Sequence, residues 1–255
     1  MSSRREAGQA AVESAIVLPL VVFLILGTLQ LFMMLQGRIM AEYAAARAVR
    51  AGSINHGNCR PMMHAAIASL LPTFTQTNTP AKLAAAFGER KNNEFGSTTL
   101  SNGTNLSGDP VVWIWRERPV IGDWAGPEDE DFDYSFNPMT LEIRLVFWFP
   151  LRIPFADWVI TRMLLAHYGM QTYSGVINPL SPAQVANWPT SMGYTAEQGD
   201  LASYPHVGQA IVAGQFEEYA TGGKYLFPIH ATSAMRMMTP ARTAAWDDCP
   251  NTPSL

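Results

Sequence analysis

The chain opens with its longest apolar run. From Ser14 to Gly37 it reads SAIVLPLVVFLILGTLQLFMMLQG, 24 residues without a formal charge. A helix of that length spans the roughly 30 Å hydrocarbon core of a bilayer. The run is too long, and ends too late, for the apolar centre of an ordinary cleaved secretory signal. No small-x-small cleavage site follows it. The pattern therefore predicts a single-span membrane protein, with a membrane segment of about 14–37 and the bulk of the chain outside the bilayer.

Helical pattern continues past the apolar run. Arg38 to Arg50 is rich in strong helix formers and contains neither Gly nor Pro. Ala51-Gly52-Ser53 then supplies a stop, with Gly52 suited to a left-handed cap. The prediction is one helix from about Ala10 to Ala51, on the order of 60 Å long. Pro19 removes one of its hydrogen bonds and predicts a kink or a tolerated membrane proline, and Gly27 adds a point of close approach.

Beyond residue 53 the pattern becomes mixed. Met62–Leu71 and Ala81–Phe87 are short amphipathic helix candidates, with Pro61, Pro72 and Pro80 marking breaks. Ser97–Pro110 reads as a polar loop or hairpin. Val111–Arg116 predicts a strand with Trp113 and Trp115 on one face. Leu141–Phe149 predicts a second, in which Leu141, Ile143 and Leu145 alternate with Glu142 and Arg144. Pro150 and Pro154 end it or place it at a sheet edge. Phe155–His167 reads as an amphipathic helix. Tyr225–Ile229 is a third strand candidate, with Ala231–Met238 either extending it or forming a short helix. Residues 169–222 read as a long loop-rich segment with turns at Asn178-Pro179, Ser181-Pro182 and Asn187-Trp188-Pro189. The fold class expected is α+β: the long N-terminal helix, then a domain over 53–255 with a small antiparallel sheet packed on that helix.

Charge and candidate chemistry narrow the function. The net charge of −4 and the lack of a basic block after Arg50 argue against nucleic-acid binding. No H-E-x-x-H, no G-x-S-x-G and no phosphate-cradling glycine loop is present. The histidines at 56, 64, 167, 206 and 230 lack metal-ligand spacing, so the reading is not an enzyme and carries no cofactor. The acidic run Glu128, Asp129, Glu130 and Asp131, with Asp133, is a weak calcium candidate; its spacing is not that of an EF-hand, and a solvated acidic loop is the plainer reading. Trp148, Phe149, Phe155 and Trp158 are either core or a membrane-interface belt. Core is preferred because Phe147 and Phe149 fit a strand with a buried face. Met33, Met34 and Met40 suit irregular gaps between helices. The two cysteines, Cys59 and Cys249, have no C-x-x-C spacing. In a periplasmic domain they would form a disulfide; otherwise they are two free thiols.

The residues ahead of the apolar run carry a further signal. Arg4-Arg5-Glu6-Ala7-Gly8-Gln9-Ala10-Ala11-Val12-Glu13-Ser14 places a basic tip, a glycine and, five residues later, a lone glutamate. This resembles the type IV prepilin signal. The longer string GQAAVESAIVLPLVVFLILG, with the proline in the span and the helix exit AEYAAARAVRAG, resembles the TadE-like pseudopilins of tight-adherence (Tad, or Flp) pilus systems. Ser14 stands where that family often has an aromatic residue. The likeness covers about the first 50 residues and is loose beyond them.

The resemblance implies a leader over 1–8, removed by a prepilin peptidase between Gly8 and Gln9, and a mature helix over 9–52. It implies that Glu13 partners the new α-amine within or between subunits. A polar pair of that kind fixes register between helices. The implied partners are the prepilin peptidase, other pilin or pseudopilin subunits, the Tad assembly platform and the lipid bilayer. The implied place is the inner membrane, N-terminus in the cytoplasm and domain in the periplasm, with incorporation in a pilus open. Lysine and arginine counts do not choose the orientation, because Arg38, Arg47 and Arg50 balance the N-terminal pair. Two rival readings are an unprocessed single-span assembly factor, and a membrane-tethered module binding calcium or glycan.

Overall fold

A computed structural model describes residues 3–119, 139–167, 207–241, 246 and 249–253. Helix α1 runs unbroken from Ser3 to Ile54, through Pro19. Helices α2 (Cys59–Phe74) and α3 (Pro80–Arg90) follow. Strands β1 (Val112–Arg118) and β2 (Thr140–Pro150), helix α4 (Ala156–His167), helix α5 (Val207–Thr221) and strand β3 (Leu226–Arg236) complete the described elements. The architecture is α+β: the strands form one antiparallel sheet in the order β1-β2-β3, packed on the upper part of α1.

The end of α1 differs from the sequence expectation. Gly52 is helical, and the helix continues to Ile54. The left-handed residues are His56 (φ 57°) and Gly57 (φ 79°), and the Gly57 N–H donates to the Gly52 carbonyl at 2.9 Å. Gly52 serves close approach instead: a Cβ there would lie 2.7 Å from Leu141 Cδ2. Asn58 then caps α2, its side chain accepting from the Arg60 N–H at 3.0 Å.

Two prolines expected to break helices do not. Pro61 sits in the first turn of α2, where its missing N–H would have no intrahelical partner, and Pro72 sits in the last turn. Pro80 occupies the first position of α3 behind its cap Thr79. The segment expected to be loop-rich contains α5; its apolar positions spread around the helix and gave no clear period, and Val212, Ala213, Phe216 and Tyr219 are the ones buried. The turns expected at 178–189 lie outside the described residues, as does the acidic run at 128–133.

β2 is the central strand, so Pro150 terminates it rather than marking an edge. Its alternation buries both of its faces in one continuous core. Leu141, Ile143, Leu145 and Phe147 are fully buried, and the contacts of Leu141 with Gly52 and of Phe149 with Gly37 turn this face toward α1. On the other face Trp148 meets Trp113 of β1 at 4.9 Å and Tyr219 of α5 at 5.0 Å between ring centroids. The stretch expected to extend the third strand or turn helical extends it: β3 pairs in register along the whole of β2, from Leu226↔Pro150 to Arg236↔Thr140.

The outer edge of β1 is covered by the C-terminal tail. Thr252 Oγ1 accepts from the Ile114 N–H at 3.3 Å, and the Pro253 carbonyl accepts from Trp115 Nε1 at 2.8 Å. Buried Asn93 joins the same seam, exchanging bonds with Val112 (2.7 and 3.0 Å) and donating to the Pro250 carbonyl at 3.1 Å. A sheet edge so occupied does not recruit other strands.

Candidate functional site

The candidate functional element is α1, with the way the domain lies along it. Its buried positions recur at helical spacing: Gln30, Gly37, Ala41, Ala44, Ala45, Ala48, Val49 and Gly52. Small residues dominate this stripe, which brings α2 and the sheet close to the helix backbone. A Cβ on Gly37 would lie 2.8 Å from Phe149 Cδ2 and 3.2 Å from Ile229 Cδ1.

The opposite face stays open. Leu31, Phe32, Leu35, Ile39 and Tyr43 are all exposed, interrupted by the Arg38–Glu42 ion pair at 3.2 Å. Below them Val17, Leu18, Leu20, Val21, Val22, Leu24 and Ile25 are exposed as well. Among the described residues this is the one helix long and apolar enough to cross a membrane.

Four contacts set the domain's height along the helix. Leu141 lies at Gly52 and Phe149 at Gly37. The chain leaving β2 then reaches Gln30, whose Oε1 accepts the backbone N–H groups of Arg152 (3.3 Å) and Ile153 (3.0 Å). Finally Phe155 meets Phe23 edge-on at 5.7 Å. The strand thus runs down α1 antiparallel to it, and the domain's lowest described contact falls well inside the apolar run.

Gly8 and Gln9 both lie within α1, and Glu13 is exposed on it four residues beyond Gln9. Cys59 and Cys249 are joined in a disulfide, with Cα atoms 5.2 Å apart and both residues buried. The bond ties the start of α2 to the tail that covers β1. The aromatic belt divides. Trp148 and Phe149 are core, whereas Phe155 and Trp158 are 62% and 36% exposed. Sequence reasoning missed Gln30, although it and Gln36 are the two amides inside a charge-free apolar run.

Helix and sheet together define an α+β protein with, among the described residues, one candidate membrane helix near the N-terminus. The TadE-like protein family model matches residues 8–50. Over that segment the chain is similar to TadE-like proteins. The match begins at Gly8 and ends within α1, ahead of the folded domain. No curated protein and no solved structure matches the chain.

Proposed function

We propose that the protein is a minor pilin or pseudopilin of the Tad pilus, acting in filament initiation, assembly or adhesion. In this reading residues 1–8 are a leader facing the cytoplasm, residues 9–52 are the mature helix, and 53–255 form the periplasmic domain. A prepilin peptidase cuts between Gly8 and Gln9. Gly8 lowers local helix stability by about 1 kcal/mol relative to alanine, which eases opening of the backbone at the scissile bond.

The reading rests above all on the family match starting at Gly8 and following one continuous helix whose outer face is apolar and open. Cleavage leaves a charged amine at Gln9, one turn before Glu13. Helical side chains lean toward the N-terminus, so the Glu13 carboxylate is aimed at that amine and at the free N–H groups of the new first turn. Neutralised in this way, the helix end can pack among similar helices at lower cost. The open stripe from Leu31 to Tyr43 gives neighbouring subunits a surface of matching character. The domain contributes no chemistry of its own.

Mass spectrometry of the protein purified from its membrane tests the reading directly. The mature chain is expected to start at Gln9, and Gly8→Ala is expected to retain the full leader. A chain that keeps Met1–Gly8 whether or not the peptidase is present would instead describe an unprocessed assembly factor.

A further inference from the structure

α4 buries one face in the domain and exposes apolar side chains on the other. Ala156, Asp157, Thr161 and Leu165 point into the domain and are buried. The outward positions follow helical spacing from Phe155 through Trp158 and Val159 to Met163. Phe155, Trp158 and Met163 are 62%, 36% and 69% exposed. The acidic group of this helix faces inward: Asp157 accepts from Ser101 Oγ at 2.9 Å and from the Trp158 N–H at 2.6 Å. The outward stripe therefore carries no carboxylate, and the partly buried Arg162 guanidinium beside it lies 5.8 Å from the centroid of the Trp158 ring.

We propose that this stripe is a second membrane-contacting surface, so that the domain rests on the bilayer through α4 as well as being tethered by α1. The occupant is the lipid of the bilayer that α1 crosses, and the argument is one of height. A spanning helix needs about 20 residues. Counted from Glu13, the far hydrocarbon edge falls near residue 33 at ~1.5 Å per residue. Drawing Glu13 two helical turns into the hydrocarbon moves that edge only to about residue 26. Phe155 packs against Phe23, below either limit. Its level is held by the Gln30 bonds to Arg152 and Ile153, which fix the chain just before α4. A half-exposed Trp beside exposed Phe and Met suits the headgroup–acyl boundary, where aromatic rings are enriched.

This inference rests on α1 being inserted in a bilayer, and the test separates the two. The full chain, with its Cys59–Cys249 bond intact, is reconstituted at one copy per nanodisc of phosphatidylethanolamine and phosphatidylglycerol. A single added cysteine at Met163→Cys, Leu24→Cys or Arg50→Cys carries an environment-sensitive fluorophore. Nitroxide-labelled lipids then report contact with acyl chains. Leu24 should be strongly quenched and Arg50 should not. Position 163 should be quenched roughly half as much as Leu24 or more, since interfacial helices sit ~5–10 Å into the headgroup–acyl boundary. Quenching at Leu24 with none at position 163 overturns the proposal while leaving insertion intact. Absence of quenching at Leu24 overturns both. A signal at position 163 that resists lipid quenchers but shifts when two copies share a disc assigns the stripe to a neighbouring subunit, and also overturns the proposal.

Discussion

Glu89 illustrates how single side chains hold the irregular part of the domain. Its Oε1 accepts from both the backbone N–H (2.8 Å) and the hydroxyl of Ser97 (2.5 Å), tying the end of α3 to the turn after Phe95. These bonds favour the ionised carboxylate, first through the Ser97 hydroxyl, and hold its pKa below the ordinary value of 4.5. A carboxyl with a depressed folded pKa stabilises the fold above its unfolded pKa and loses that contribution as pH falls through the folded value. Ser97→Ala is therefore expected to lower the melting temperature slightly at neutral pH. The gap from the wild type should narrow as pH falls below 4.5 and through the lowered folded-state pKa. Thermal melts of the two proteins across that range check this.

The glycines also act at this scale, and only Gly57 among those at the α1–α2 junction acts through its backbone. Its left-handed conformation turns the chain, and its carbonyl accepts from Arg116 Nη1 at 2.8 Å while that guanidinium lies 4.3 Å over the Trp246 ring. Gly37 and Gly52 act by absence of a side chain. From sequence these roles look alike, because a stop signal and a close-packing site are both written as glycine.

At the scale of elements, the informative pair is α1 and the chain leaving β2. Gln30 is fully buried, and its carboxamide satisfies two backbone donors that no strand partner reaches. Gln30→Leu leaves those N–H groups without an acceptor, at about 1–3 kcal/mol, offset in part by removing its own unpaired Nε2. Amide exchange at Arg152 and Ile153 should speed up about fivefold or more, since ~1 kcal/mol of lost protection is that factor, while exchange in central β2 stays unchanged. Unchanged exchange at all these sites would show that Gln30 does not hold the segment.

β2, the start of α4 and the long helix were all legible in the sequence, because each keeps one period over many residues. α5 was not. Its apolar positions spread around the helix, and only Trp148 and the sheet face beneath it select which of them are buried. Pro72 misled for a related reason: a proline in a last turn removes a bond there, and packing of Leu70, Leu71 and Phe74 compensates.

For the molecule as a whole, the disulfide closes the domain on itself. Cys59 and Cys249 are 190 residues apart, and their bond joins the helical layer to the tail that seals the sheet edge. By chain entropy such a closure is worth up to about 5 kcal/mol, less any strain or residual unfolded-state structure. Reduction, or Cys59→Ser with Cys249→Ser, should shift the denaturant midpoint downward in detergent-solubilised protein. It should also raise exchange at Ile114 and Trp115, where the tail is bonded. An unmoved midpoint would mean that the tail is held by its hydrogen bonds alone.

What the order of residues determined alone was the rod and its likeness to TadE-like proteins. A charge-free run of this length can satisfy its backbone in a bilayer only as a helix, and the motif from Gly8 to Glu13 needs no folding to be read. The strand patterns and the cysteines were equally visible, because they depend on neighbours or on counting. Which face of the rod the domain covers, how far down it reaches, and that Phe155 and Trp158 stay outside while Trp148 goes inside were decided by tertiary structure. Periodicity states that a residue is apolar, but only packing determines whether protein or another solvent covers it.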